Sequence, residues 1–149
     1  MEVVDTLDFL LGTWRVERLI EDHRSNLRGS FEGTATVALD QLNRDSSSGV
    51  RALYSELGEL SWCGYTGLAT RVLEYVDSGN VELALNFADG RSFADLDLRT
   101  GSWTSPHLCG SDRYELETLV HSNQSMEERW RVTGPEKDYD AVTTFTRVK

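Results

Sequence analysis

Residues 12–20, GTWRVERLI, place Trp14, Val16, Arg18 and Ile20 at every second position, with Arg15 and Glu17 between them and Glu21 next beyond. A side-chain period of two is what a β-strand with one covered face requires. The segment just before it obeys a different period. In VVDTLDFLLG (residues 3–12), Val3, Val4, Leu7, Leu10 and Leu11 recur at nearly helical spacing. Asp5 or Thr6 is suited to cap a short helix there, and Gly12 to end it. The change of period at Gly12 predicts a short N-terminal helix followed by a strand.

The alternation continues outward from that point. SFEGTATVAL (30–39) carries Phe31, Gly33, Ala35, Val37 and Leu39 on its apolar face, and EDHRSNLRG (21–29) supplies a turn. DQLNRDSSSG (40–49) is polar and serine-rich, and reads as a loop. Strand patterns resume with VRALYSELGEL, GLATRVLEYV, NVELALNFADG and RSFADLDL, then RYELETLV, MEERWRV and YDAVTTFTRV. Between them lie the turn signals DSGN, ADGR, RTGS, CGSD, HSNQS and GPEKD. Trp103, His107 and Cys109 add one more candidate strand, with Pro106 demanding an edge, a bulge or a bend. Nine or ten short antiparallel strands in one domain, residues 1–149, predict an all-β protein. Each strand has a single apolar face, so the set must pack as a sandwich or close into a barrel.

Bulk composition narrows the classes of partner. The chain has 149 residues, 25 acidic against 15 basic, and a formal charge of −10. Such a surface repels phosphate backbones and anionic headgroups, so nucleic acid and membranes are not expected partners. No run approaches the ~20 apolar residues that span a bilayer. The N-terminal residues lack the pattern of a signal peptide. Cys63 and Cys109 are too few for a disulfide framework and are expected as free thiols in the cytoplasm.

Closure into a barrel is favoured by the two chain ends. The first strand opens Gly12-Thr13-Trp14, and the last, in TTFTRVK, carries Arg147. In lipocalin-like barrels a glycine-x-tryptophan opens the first strand, and a basic side chain from the last lies across the indole. Trp14 and Arg147 are therefore expected to form a structural clasp. FLLGTWRVERLIEDH, GSFEGTATV, LYSELGEL, FADGRSF, HLCGSDRYE, WRVTGPEKDY and TTFTRV follow in an order that resembles the DUF6314 family of uncharacterised lipocalin-like proteins. The resemblance runs from Phe9 to Arg147. It implies an all-β, calycin-type barrel of about nine or ten strands and no assigned reaction. In that family DGRSF is commonly followed by histidine. Here the position is Ala94, which argues against a shared catalytic apparatus needing histidine there.

Alternation also nominates interior polar groups. Arg18 shares a face with Trp14, Tyr54 with Glu56, and Arg71 with Leu73 and Tyr75. Leu83, Leu85, Phe87 and Asp89 form a row, Tyr114 follows with Leu116, and Trp130 with Val132. An ion inside a barrel must be paired or solvated. Arg18 and Arg71 therefore predict either Glu56 and Asp89 as partners or an anionic ligand. The candidate ligand-binding set is Arg18, Tyr54, Glu56, Arg71, Asp89, Cys109 and Trp130.

His107 and Tyr114 are the catalytic candidates, as acid or base on a bound molecule with Asp112 nearby. A Cys109–His107 nucleophile pair is hindered, because side chains at i and i+2 of one strand stand roughly 7 Å apart. His107, Cys109 and Asp112 lack a fourth ligand at zinc spacing, so no metal is expected. Haem on His107 is the alternative to having no cofactor, since His23 and His121 fall in turns. Lys137, at the tip of GPEKD, is read as part of a solvated hairpin or as a gate for anions. The leading functional expectation is binding of a small, partly apolar, anionic molecule inside the barrel. The alternatives are an isomerase-, cyclase- or decarboxylase-type enzyme on the same fold, and a homo-oligomeric or scaffold protein using an exposed sheet face.

Overall fold

A computed structural model describes residues 1–40 and 49–149, excluding the side chains of residues 107–109. The serine-rich loop expected at 40–49 thus lies largely outside the described residues. Helix α1, Thr6–Leu10, is followed by β1 (Gly12–Asp22), β2 (Leu27–Leu39), β3 (Val50–Trp62), β4 (Tyr65–Asp77) and β5 (Leu83–Phe87). Then come β6 (Ser92–Leu96), β7 (Ser102–Cys109), β8 (Asp112–Ser122), β9 (Ser125–Thr133) and β10 (Asp138–Arg147). The ten strands form one antiparallel sheet in the order β6-β5-β4-β3-β2-β1-β10-β9-β8-β7, curled into a nearly closed lipocalin-like barrel. No helix is long and apolar enough to cross a membrane among the described residues.

Asp5 caps α1 by accepting from the Asp8 N–H at 2.8 Å. The helix is too short to be stable alone. It is held because Leu7 and Leu10 are buried in the core and Thr6 Oγ1 accepts from the Leu98 N–H at 2.9 Å. It thereby closes one end of the barrel. The first strand follows its alternation, with Trp14, Val16 and Arg18 buried and Arg15 and Glu17 exposed. Phe31, Ala35 and Val37 are likewise buried, whereas Leu39, at the end of β2, is exposed.

Two glycines let the backbones of β2 and β3 approach closely. Gly33 opposes Gly58, and a Cβ on Gly33 would stand 2.3 Å from the Leu57 carbonyl oxygen. The Phe31 ring uses the space over Gly58.

The clasp forms as expected. The Arg147 guanidinium lies 4.1 Å from the Trp14 ring centroid. It donates to the carbonyls of Phe9 at 2.7 Å, Leu11 at 2.9 Å and Asn123 at 3.0 Å. Trp14 Nε1 donates to the Leu10 carbonyl at 2.9 Å. Burial of this cation lowers its proton affinity.

The barrel's incomplete side is between β6 and β7. Side chains bridge the seam: Ser105 Oγ donates to Asp95 Oδ1 at 2.6 Å and accepts from the Asp95 N–H at 3.2 Å. Trp103 Nε1 donates to the Asp95 carbonyl at 3.1 Å. Pro106 sits on β7, the last strand of the sheet order, where a missing N–H costs no ladder bond.

Candidate functional site

The hairpins after β1, β3, β7 and β9 all turn at the end of the barrel opposite α1. Toward that end the interior opens into a cavity of about 460 Å³, within the range of small-molecule sites. Its walls come from seven strands, so it is a product of closure and of no single motif. Phe87, Phe93, Trp130, Tyr114 and Tyr139 supply aromatic surface, and Ile20, Leu73, Val132 and Ala141 supply aliphatic surface. Phe93 packs against Phe87, with centroids 4.5 Å apart, and against Trp130, at 4.9 Å. Arg18 and Arg71 are the two cations on the wall.

Arg18 is bound from three strands because the registers of β1 with β2 and β10 put Phe31 and Thr143 on either side of it. Its Nε donates to Thr143 Oγ1 at 2.8 Å, and its Nη1 and Nη2 donate to Glu56 Oε2 and Oε1 at 3.0 and 2.8 Å. The guanidinium also lies 5.2 Å from the Phe31 centroid. Burial alone would lower its proton affinity, but the bidentate carboxylate outweighs burial and leaves that affinity raised. Glu56 is the converse case. Burial pushes its carboxyl up, and the bonds from Arg18 with the nearby Arg71 charge bring it below the ordinary carboxylate range. Tyr54 also donates to Glu56 Oε1, at 2.5 Å, and burial holds this phenol well above its usual value.

Arg71 is less completely matched. It faces Glu56 across the β3–β4 ladder, yet its ion-pair contact is Nη2 to Glu56 Oε1 at 3.5 Å, on an oxygen already used by Arg18 and Tyr54. Its Nε is buried with no hydrogen-bond partner. Its side chain keeps 34% of its surface exposed, and the residue lines the cavity.

The structure therefore gathers Arg18, Tyr54, Glu56 and Arg71 into one cluster and sets Trp130 and Tyr114 on the same cavity wall. Asp89 is a correction. The strand period was expected to carry it inward, but β5 ends at Phe87. Asp89 sits in the following turn, exposed and paired with Arg91 at 2.7 Å. Gly90, at φ 88°, takes the chain out of the pleat there. Cys109 and His107 belong to β7, opposite Asp112 and Tyr114 respectively, and their side chains lie outside those described. The acid–base, nucleophile and haem readings of that pair lie there too. Cys63 is exposed at a hairpin tip, unpaired with any cysteine. Among the described residues no three His, Cys, Asp or Glu side chains gather as metal ligands do.

Lys137 reaches the cavity rim. Its Nζ donates to the Tyr114 hydroxyl at 3.0 Å and contacts Asp112 Oδ2 at 3.0 Å, and these partners raise its proton affinity. It is thus a tethered cation. Arg131 is similarly held by Asp138 at 2.6 Å and Asp140 at 3.3 Å.

Sequence reasoning missed Phe93, Thr143, Tyr139 and Glu128. Glu128 accepts from Trp130 Nε1 at 2.5 Å. It shares the inward parity of Met126 and Trp130, so the signal was present in MEERWRV. Thr143 likewise shares parity with Ala141 and Phe145.

The profile of a family of unknown function, DUF6314, matches residues 10–147. The chain belongs to the DUF6314 family. The fold of this DUF6314 protein is similar to that of the S-type phycobiliprotein lyase CPES from Guillardia theta. The TM-score is 0.71 at 12% identity, over 100% of this chain and 94% of that one. A protein of unknown function from the DUF3598 family of Nostoc punctiforme gives a TM-score of 0.59 at 13% identity. That match covers 99% of this chain and 51% of the other, so the chain spans about half of that protein. At these identities the likeness speaks for the fold alone. No match was found among curated proteins.

Proposed function

We propose that this protein binds a small, partly apolar, anionic molecule in its barrel cavity, in the manner of a calycin-type carrier. The observation that carries the reading is Arg71. It is one of two cations on a wall that is otherwise aromatic and aliphatic, and the less completely paired of them, with an unpartnered Nε, a 5.7 Å approach to the Tyr54 ring centroid and a 3.5 Å contact to a carboxylate already occupied elsewhere. Arg18, by contrast, is satisfied by Glu56 and Thr143 and serves to hold Glu56 in place. A ligand carboxylate or sulfonate would give Arg71 the bidentate partner it lacks, while Phe87, Phe93 and Trp130 cover the ligand's apolar part. Glu56 then fixes the orientation of Arg71 from behind.

Naphthalene carboxylate and its uncharged carboxamide make a matched pair of probes, read by tryptophan fluorescence because Trp130 lines the cavity. The carboxylate is expected to bind more tightly than the amide. Arg71→Leu is expected to weaken the carboxylate by roughly ten- to a hundredfold, the worth of a charged hydrogen bond, and to leave the amide nearly unchanged. Equal affinity for the two probes, or binding of neither, overturns the proposal.

A further inference from the structure

Strand β4 is longer than the strand beside it. It runs from Tyr65 to Asp77, but β5 pairs only with Leu73–Val76. Among the described residues nothing pairs with the far side of residues 65–72. The hairpin joining β3 to β4 settles which backbone groups are left over. Trp62 pairs with Tyr65 across a two-residue turn whose central residues have φ of 50° (Cys63) and 79° (Gly64), a type I′ geometry. In such a hairpin the flanking pair exchanges both hydrogen bonds, and every second residue after it does the same. Tyr65, Gly67, Ala69 and Arg71 therefore bond to β3, whereas Thr66, Leu68, Thr70 and Val72 direct their N–H and C=O groups outward. That is four donors and four acceptors on a free edge.

Proteins usually blunt such edges with lysine, proline, inward charges or short strands. The β7 edge has Pro106, and β6 is only five residues long. The free stretch of β4 has none of these outside Arg71, an inward charge that lines the cavity. It contains no carboxylate although the whole chain carries a charge of −10. Leu68 is 81% exposed on it, beside the exposed Leu57 and Val72.

We propose that two copies of this chain pair along this edge, β4 to β4, about a two-fold axis at Ala69. The edge is complementary to itself in that register. Thr66 meets Val72 of the second copy and Leu68 meets Thr70, each pair exchanging two hydrogen bonds, eight in all from the four pairs. Gly67 meets Arg71, so no like charges stand opposite. Arg71 and Val72 also line the cavity, so the added strand extends the wall of each ligand site where the sheet otherwise ends.

The test is mass by light scattering and sedimentation of the full chain. The wild type is expected at twice the 16.8 kDa chain mass at about 100 μM. Thr70→Pro removes an outward N–H without touching the β3 ladder and is expected to give a monomer. Circular dichroism checks that this variant keeps the fold. If it does not, Leu68→Lys, a change at a residue that is 81% exposed, is expected to give the folded monomer instead. A monomeric wild type overturns the proposal, and so does a dimer that survives in the folded variant. Neither result touches the ligand proposal, which is read from probe binding.

Discussion

Replacing Glu56 by glutamine tests whether the interior charge cluster is built around this carboxylate. In the wild type its side chain is only 3% exposed, accepts two bonds from Arg18 and one from Tyr54, and lies 3.5 Å from Arg71. The amide keeps one acceptor oxygen, turns an N–H₂ toward cationic donors and removes the negative charge. Breaking a buried pair by deleting one partner costs about 3–5 kcal/mol. Arg71 is a third exposed, so its share is discounted and the lower end, about 3 kcal/mol, is expected. For a chain of this length that corresponds to a fall of about 6–12 °C in melting temperature.

The pH dependence has a definite sign. The Glu56 carboxyl titrates below its ordinary value in the folded state, so its contribution is present above the unfolded carboxylate pKa and is lost as pH falls through the folded value. Urea melts at neutral pH should therefore separate wild type and Glu56→Gln fully, and melts in acid should bring them together. The double change Arg18→Met with Glu56→Leu should recover most of the loss, because neither charge is left alone. A loss under about 1 kcal/mol at neutral pH, or a gap that widens in acid, would refute the reasoning.

Further outcomes follow from the clasp, the rim and the close approach at Gly33. Arg147→Lys keeps the charge but loses the flat guanidinium over Trp14 and part of its three-carbonyl fork; a lower urea midpoint, equivalent to about 1–2 kcal/mol, is expected. His23 Nε2 contacts Asp140 Oδ2 at 2.5 Å, and this hydrogen bond raises the histidine's pKa. NMR titration should find His23 protonated to higher pH than a free histidine, with Asp140→Asn returning it toward the ordinary value. The stabilisation from that pair is present below the unfolded histidine pKa and disappears as pH rises through the folded one. Gly33→Ala should destabilise by about 1–3 kcal/mol, since its methyl group meets backbone and not a movable side chain; thermal melting reads the loss.

What the sequence determined by itself was local: which face of each strand is buried. Period-two alternation is written into neighbouring residues, so Trp14, Arg18, Tyr54, Glu56, Tyr114 and Trp130 were legible as one-sided, and the change of period at Gly12 marked the helix that plugs the barrel. The clasp between Trp14 and Arg147 was legible too, through its resemblance to other barrels. Pairing between strands was not, because register depends on hairpin geometry and on where each strand stops.

The error over Asp89 has that origin. Alternation along Leu83, Leu85 and Phe87 extends to it arithmetically, but the chain leaves the pleat at Ala88, and Arg18 and Arg71 are left to share Glu56. Only the closed sheet, bringing together residues of seven strands, made the cavity and singled out Arg71 within it. Likewise only the mismatch in length between β4 and β5 exposed the edge at Thr66–Val72. Local period is carried by near neighbours, whereas partners across a barrel are chosen by the geometry of closure.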